Sequence, residues 1–159
     1  MSTYERNANR LTIVLFIALT LVSVAGAVWL PGPIAIHYNL SGQPNRWGSP
    51  ATLLILPVIV FIILGIMQAT RNAHPDFMNF PGPRTPENVA RQLHNTHLML
   101  ASMRVFLAFL FLVIQAQSVW AKLYNQNQLI GWTIPVMIAL LFLITGYFVR
   151  RAYKLVPRQ

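Results

Sequence analysis

Four stretches of this 159-residue chain are long and apolar enough to cross a bilayer, and that removes most of the folds otherwise open to it. They span residues 11–30, 51–70, 98–120 and 129–149. At about 1.5 Å of rise per residue, roughly 20 helical residues cover a hydrocarbon core of ~30 Å. Backbone groups in lipid find no water, so each run must satisfy its own hydrogen bonds as a helix. The first run carries no charge; Thr12, Thr20 and Ser23 are its only polar side chains. Ala25-Gly26-Ala27 offers a small-x-small cleavage pattern. However, the run exceeds the apolar core of about 7–15 residues usual in signal peptides, so it is expected to be a retained span. The expected fold class is all-α: one polytopic membrane domain over 1–159, with four transmembrane helices, an outer loop at 31–50 and an inner loop at 71–97.

Composition agrees. Charged residues make up 9% of the chain, against about 25% in a soluble domain whose surface must face water. The acidic residues are Glu5, Asp76 and Glu87, which leaves almost no material for paired-carboxylate chemistry. Cysteine is absent, so thiol chemistry is excluded. No Ser-His-acid set, metal motif or phosphate loop is visible. The expectation is a protein that is not an enzyme and needs no cofactor or metal. His94 and His97 lie at i, i+3, and His74 with Asp76 is near in sequence. Nothing in that spacing forces convergence, and lone interfacial histidines are common.

Basic residues orient the spans. Arg6, Arg10, Arg71, Arg84, Arg91, Arg104, Arg150, Arg151, Lys154 and Arg158 fall on one side; Arg46 and Lys122 fall on the other. The rule that positive flanks stay inside then places both termini and the middle loop in the cytoplasm. Trp29, Trp47, Trp120 and Trp132 all fall at the opposite face, where indole rings favour the headgroup layer. The net charge of +9 is therefore a topology signal rather than a nucleic-acid footprint. The expected location is the inner or plasma membrane, with the bilayer as first partner.

Thr85-Pro86-Glu87 has the pattern of a helix start, with Thr85 as N-cap, Pro86 at the first helical position and Glu87 near the positive end of the dipole. That helix is expected to continue into the third span. Arg104 lies inside this span, and snorkelling to the inner surface is the favoured reading; a functional charge facing the bundle interior is the sharper one. Pro57 and Pro135 each sit about two turns into an apolar run and are expected to kink their helices. Each run also holds a later glycine, Gly65 or Gly146, so the second and fourth spans share an outline that a duplicated two-helix unit would leave.

The outer loop, Leu30-Pro31-Gly32-Pro33-Ile34-Ala35-Ile36-His37-Tyr38-Asn39-Leu40-Ser41-Gly42-Gln43-Pro44-Asn45-Arg46-Trp47-Gly48-Ser49-Pro50, is rich in turn formers. A short extended stretch is expected at 34–38. The loop resembles the signature of the bacterial membrane family called domain of unknown function 1648, through Leu30, Pro31, Ile34, His37, Asn39, Gly42 and Trp47. A second element, Met78-Asn79-Phe80-Pro81 with Thr85-Pro86-Glu87-Asn88 and Arg91-Gln92, resembles that family's Asn-aromatic-Pro segment and the helix start after it. The two elements cover about residues 29–92. The chain departs from the pattern at Gly32, Ala35, Asn45 and Pro50, where the family has an Asp, a Pro, an acid and a Lys. A carboxylate-dependent site in this loop is not expected.

The resemblance implies a membrane protein related to the immunity proteins that protect a bacterium against its own sporulation-delay toxin. The expected function is non-enzymatic binding of a peptide, lipid or partner protein through the outer loop, at His37, Asn39, Gly42, Asn45 and Trp47. Asn79, Phe80, Pro81, Glu87 and Arg91 of the second element form a further candidate set. His37, with an ordinary pKa near 6.5, could act as a pH-sensitive group or could simply pin the loop. A small accessory subunit of a larger membrane complex is the alternative, and an oligomeric transporter a more distant one; a homo-oligomer is compatible with each.

Overall fold

The computed structural model describes residues 1–126 and 128–157. Arg158, counted above among the basic residues, lies outside them. Four helices dominate: α1 (Thr3–Trp29), α2 (Ile55–Arg71), α3 (Pro86–Leu123) and α4 (Thr133–Lys154). Each is long and apolar enough to cross a membrane, α2 together with the 3₁₀ helix Pro50–Leu54 that leads into it. Successive helices run in opposite directions across the layer, so the two termini share one face. The 31–50 connection shares the other with Leu129, which precedes α4 and bonds Gly42.

The central helix is α3. It packs most extensively on α1 and also contacts α2 and α4, whereas α4 leans chiefly on α3. At 38 residues α3 far exceeds the length needed to span. Its start is the expected one: the Thr85 hydroxyl accepts from the Asn88 N–H at 3.3 Å, and Pro86 takes the first helical position. α1 begins well ahead of its apolar run because Ser2 and Glu5 form a reciprocal capping box. α4 starts only at Thr133, because Leu129 is drawn out of the run and buried in the connection before it.

The expected proline kinks are corrected by where the helices begin. Pro57 and Pro135 both fall in the first turn of α2 and α4, not two turns inside. A first-turn N–H has no intrahelical acceptor, so a residue that lacks one fits there without cost to the ladder.

The outer loop adds a small sheet to the helical bundle. Strands β1 (Ile34–Tyr38) and β2 (Pro44–Gly48) pair antiparallel, from Ile34 opposite Gly48 to Tyr38 opposite Pro44, with an irregular register around His37. The expected extended stretch is β1; β2 carries proline and glycine and gives no strand signal of its own. The hairpin is seated by a buried cluster of Leu30, Ile34 and Leu53, against which Val119 packs. Gly26 makes this approach possible: a Cβ there would lie 2.6 Å from Leu53 Cδ1 and 2.9 Å from Val119 Cγ2.

Candidate functional site

The hairpin is tied down at its tip, its base and its flank. Asn39 Oδ1 accepts from the Ser41 N–H (3.1 Å), the Ser41 hydroxyl (2.8 Å) and the Gln43 N–H (2.9 Å), so one side chain organises the turn. Gly42 has φ +80°, and its carbonyl accepts from the Leu129 N–H at 2.8 Å. A Cβ at Gly42 would lie 3.0 Å from the Leu129 carbonyl, so glycine is demanded by both conformation and space. Lys122 donates to the Pro33 carbonyl at 3.0 Å. Beneath the hairpin, Gln115 donates to the Ser23 hydroxyl (2.8 Å) and the Leu53 carbonyl (2.9 Å), joining α3 to α1 and to the lead-in of α2. Gln117 donates to Thr133 Oγ1 and accepts from the Ile130 N–H, joining α3 to the start of α4.

What this frame presents is the outer side of both strands. His37, Asn45, Arg46 and Trp47 are exposed. His37 Nδ1 and Asn45 Oδ1 lie 2.6 Å apart across the ladder, so these two candidates form one polar unit. Asn39 and Gly42, by contrast, are occupied within the loop. Trp29, Trp47, Trp120 and Trp132 surround this face and are all exposed, Trp132 by 79%. Such indole rings suit a headgroup layer.

The second candidate set lies at the opposite face and splits the same way. Asn79, Glu87 and Arg91 are exposed, with no side-chain hydrogen bond among the described residues. Phe80 lies under the Arg84 guanidinium, 5.9 Å from ring centroid to carbon. The Pro81 carbonyl accepts from Asn88 Nδ2 at 3.0 Å. Buried beside this set, and not among its candidates, are Asn88, Gln92 and Asn95, spaced i, i+4, i+7 along α3. Gln92 donates to the Ala152 carbonyl (2.9 Å) and Asn95 to the Phe148 carbonyl (3.1 Å), which fastens α4 to α3. Amides recurring at helical spacing are a signal that sequence could have supplied. No three His, Asp or Glu side chains converge as a metal site among the described residues. His74 pairs instead with Asp76 at 3.3 Å, on a surface shared with Arg84.

Two features near the termini had no such signal. Glu5, 3% exposed, takes both Nε (3.1 Å) and Nη2 (2.9 Å) of Arg71 on one oxygen, and the Ser2 N–H (2.7 Å) on the other. Burial pushes the Glu5 carboxyl up, but the Ser2 N–H and the Arg71 guanidinium outweigh it and hold the pKa down at about 2. Burial, aided by Arg71, also lowers His97 below its ordinary value. The expectation that Arg104 snorkels is corrected: it is 5% exposed and donates to Gln68 Oε1 on α2. The covering helix α2 supplies an acceptor inside the bundle, and the side chain is held there.

Four apolar helices closed by a small anchored hairpin define a multi-pass membrane protein. Residues 14–61 match the family model described as Domain of unknown function (DUF1648), so the resemblance holds over the first span, the hairpin and the start of α2. The match stops short of the second element at 78–92. The chain is also 32% identical over 79 residues to an uncharacterized protein of Archaeoglobus fulgidus, an alignment covering 45% of this chain and 43% of that relative. The chain thus spans less than half the length of the curated relative it matches. No solved structure matches it.

Proposed function

We propose that this membrane protein is a non-enzymatic binder, of the immunity or signalling type, whose recognition element is the β1–β2 hairpin. One observation carries the reading: the hairpin is fastened to the bundle beneath it while His37, Asn45, Arg46 and Trp47 stay exposed. A preorganised polar and aromatic patch loses little freedom on binding. A peptide or the exposed loop of a second membrane protein suits that chemistry. The distribution of basic residues and tryptophans supports a hairpin facing outward from the plasma or inner membrane, with cytoplasmic termini.

Photo-crosslinking in native membranes tests recognition. A benzophenone amino acid at Trp47 should give one discrete adduct, lost with His37→Ala and Asn45→Ala at unchanged membrane levels. No adduct, or the same adduct from a probe at lipid-facing Phe142, would reject the hairpin. Orientation is checked on the cysteine-free background: Ser41→Cys should react with an impermeant maleimide from outside, and reaction from the cytoplasmic side alone reverses the topology.

A second reading, an accessory subunit of a larger complex, draws support from α4. Because α4 leans chiefly on α3, an apolar groove of about 730 Å³ remains between α1 and α4, lined by Leu11, Phe106, Phe109, Leu143 and Tyr147. Extraction in mild detergent as a defined larger assembly would favour that reading; a lone monomer or homodimer would remove it.

A further inference from the structure

A buried positive charge without a counter-charge sits between α1, α2 and α3. Arg104 is 5% exposed, and only Nη1 of its guanidinium is satisfied, by Gln68. Nε and Nη2 are buried with no partner. Unpaired guanidinium donors inside a bundle are costly, and partners for them are the rule. The chain has no acid to give: Glu5 is taken by Arg71 and Ser2, Asp76 lies with His74 and Arg84 on the surface, and Glu87 is exposed. The nearby Arg71 and Glu5 neutralise each other as an ion pair and leave the Arg104 charge without a partner of its own.

Arg104 borders a cavity of about 330 Å³. Its polar end is formed by Arg104, Gln68, Asn9 and Thr12. The rest is apolar, with Ile13, Phe16, Phe61 and Leu64, and it opens sideways between α1 and α2, where Ile13 and Phe61 are exposed. Gly65 leaves the wall open: a Cβ there would meet nothing within 4 Å. Arg104 lies about 9 Å along α3 from residue 98, where the apolar run begins, which is within reach of a headgroup drawn slightly inward.

We propose that this cavity is a binding site for an oxyanion carried by a membrane amphiphile: an anionic phospholipid of the leaflet on the terminal side. A small turn of the Arg104 side chain presents Nε and Nη2, covered in the unliganded bundle, to the lipid phosphate, and an acyl chain lies along Phe16, Phe61 and Gly65. Guanidinium donors match phosphate geometry, and the apolar mouth excludes a freely hydrated ion. The site is independent of the hairpin, so each can fail without the other.

The test uses the full chain purified in dodecyl maltoside and stripped of lipid. Phosphatidylglycerol should raise its melting temperature and survive as a one-to-one adduct in native mass spectrometry; phosphatidylcholine and inorganic phosphate should do neither. Arg104→Gln should weaken the adduct by about tenfold or more, the equivalent of one hydrogen bond to a charged group. Gly65→Leu fills the apolar arm without touching Arg104 and should weaken it too, while leaving the lipid-free melting temperature in place. Undiminished phosphatidylglycerol binding by Gly65→Leu or by Arg104→Gln overturns the site. Full stabilisation by inorganic phosphate, or equal retention of phosphatidylcholine, overturns the anionic-lipid assignment.

Discussion

The two ends of this bundle solve the same problem with different chemistry. At the hairpin face the buried polar groups are neutral amides and hydroxyls: Gln115 reaches Ser23 and Leu53, and Thr133 is met by the half-buried Gln117. At the terminal face the buried groups include charges: Glu5 is met by Arg71, and Arg104 is left two donors short. In a medium without water, neutral donors need only a carbonyl, which any loop provides, whereas a charge needs a counter-charge. The hairpin end is therefore complete within the chain. The terminal end contains a site that something else must finish.

Substitutions can break that contrast, and the largest effect is expected at Glu5. Glu5→Ala strands the Arg71 guanidinium and removes half of a capping box, so about 3 kcal/mol of stability should be lost at pH 7. This is readable as a fall in melting temperature in detergent. The same carboxyl gives an acid signature. Its folded pKa of about 2 lies below the ordinary 4.5, so its stabilisation is complete above 4.5 and is lost as pH falls towards 2. Glu5→Gln should abolish that step. A step of the same size in Glu5→Gln would mean that another group carries it.

Gln115→Ala comes next, at about 2 kcal/mol, since it leaves the buried Leu53 carbonyl without its partner. It should loosen the hairpin and the α1–α3 contact together, measured by hydrogen exchange on both. If only the hairpin loosens, the amide is a local clamp rather than the joint between two layers. Asn39→Ala should cost about 1 kcal/mol and raise exchange at Ser41 and Gln43 alone. The smallest stability change belongs to His37→Ala, within about 0.5 kcal/mol because the side chain is exposed. A marked drop in melting temperature there would make His37 structural and remove it from the proposed recognition patch.

Much of this architecture is legible from residue order alone. Water exclusion leaves a 20-residue apolar run few alternatives to a helix, which is why four spans follow from composition and length. The Thr85-Pro86 start of α3 follows equally from local capping chemistry. The hairpin motif and its His37, Asn39 and Gly42 could be picked out as a candidate, because turn chemistry and family resemblance both act over a few adjacent residues. Their division of labour could not: Asn39 and Gly42 hold the loop while His37 and Asn45 face outward.

The contacts that distinguish the two ends join residues far apart in the chain. Glu5 meets Arg71, Gln68 meets Arg104, and Gln115 meets Ser23. Periodicity shows that a polar residue lies within a span but not which neighbour will face it, since that depends on how helices are rotated against one another. Arg104 makes the point most plainly. Chain position alone favours a side chain reaching the surface, and only the packing of α2 across it turns the same residue into a buried, unfinished site. Residue order thus settled how many times the chain crosses and where its turns lie; helix packing settled which polar groups are answered from within and which are not.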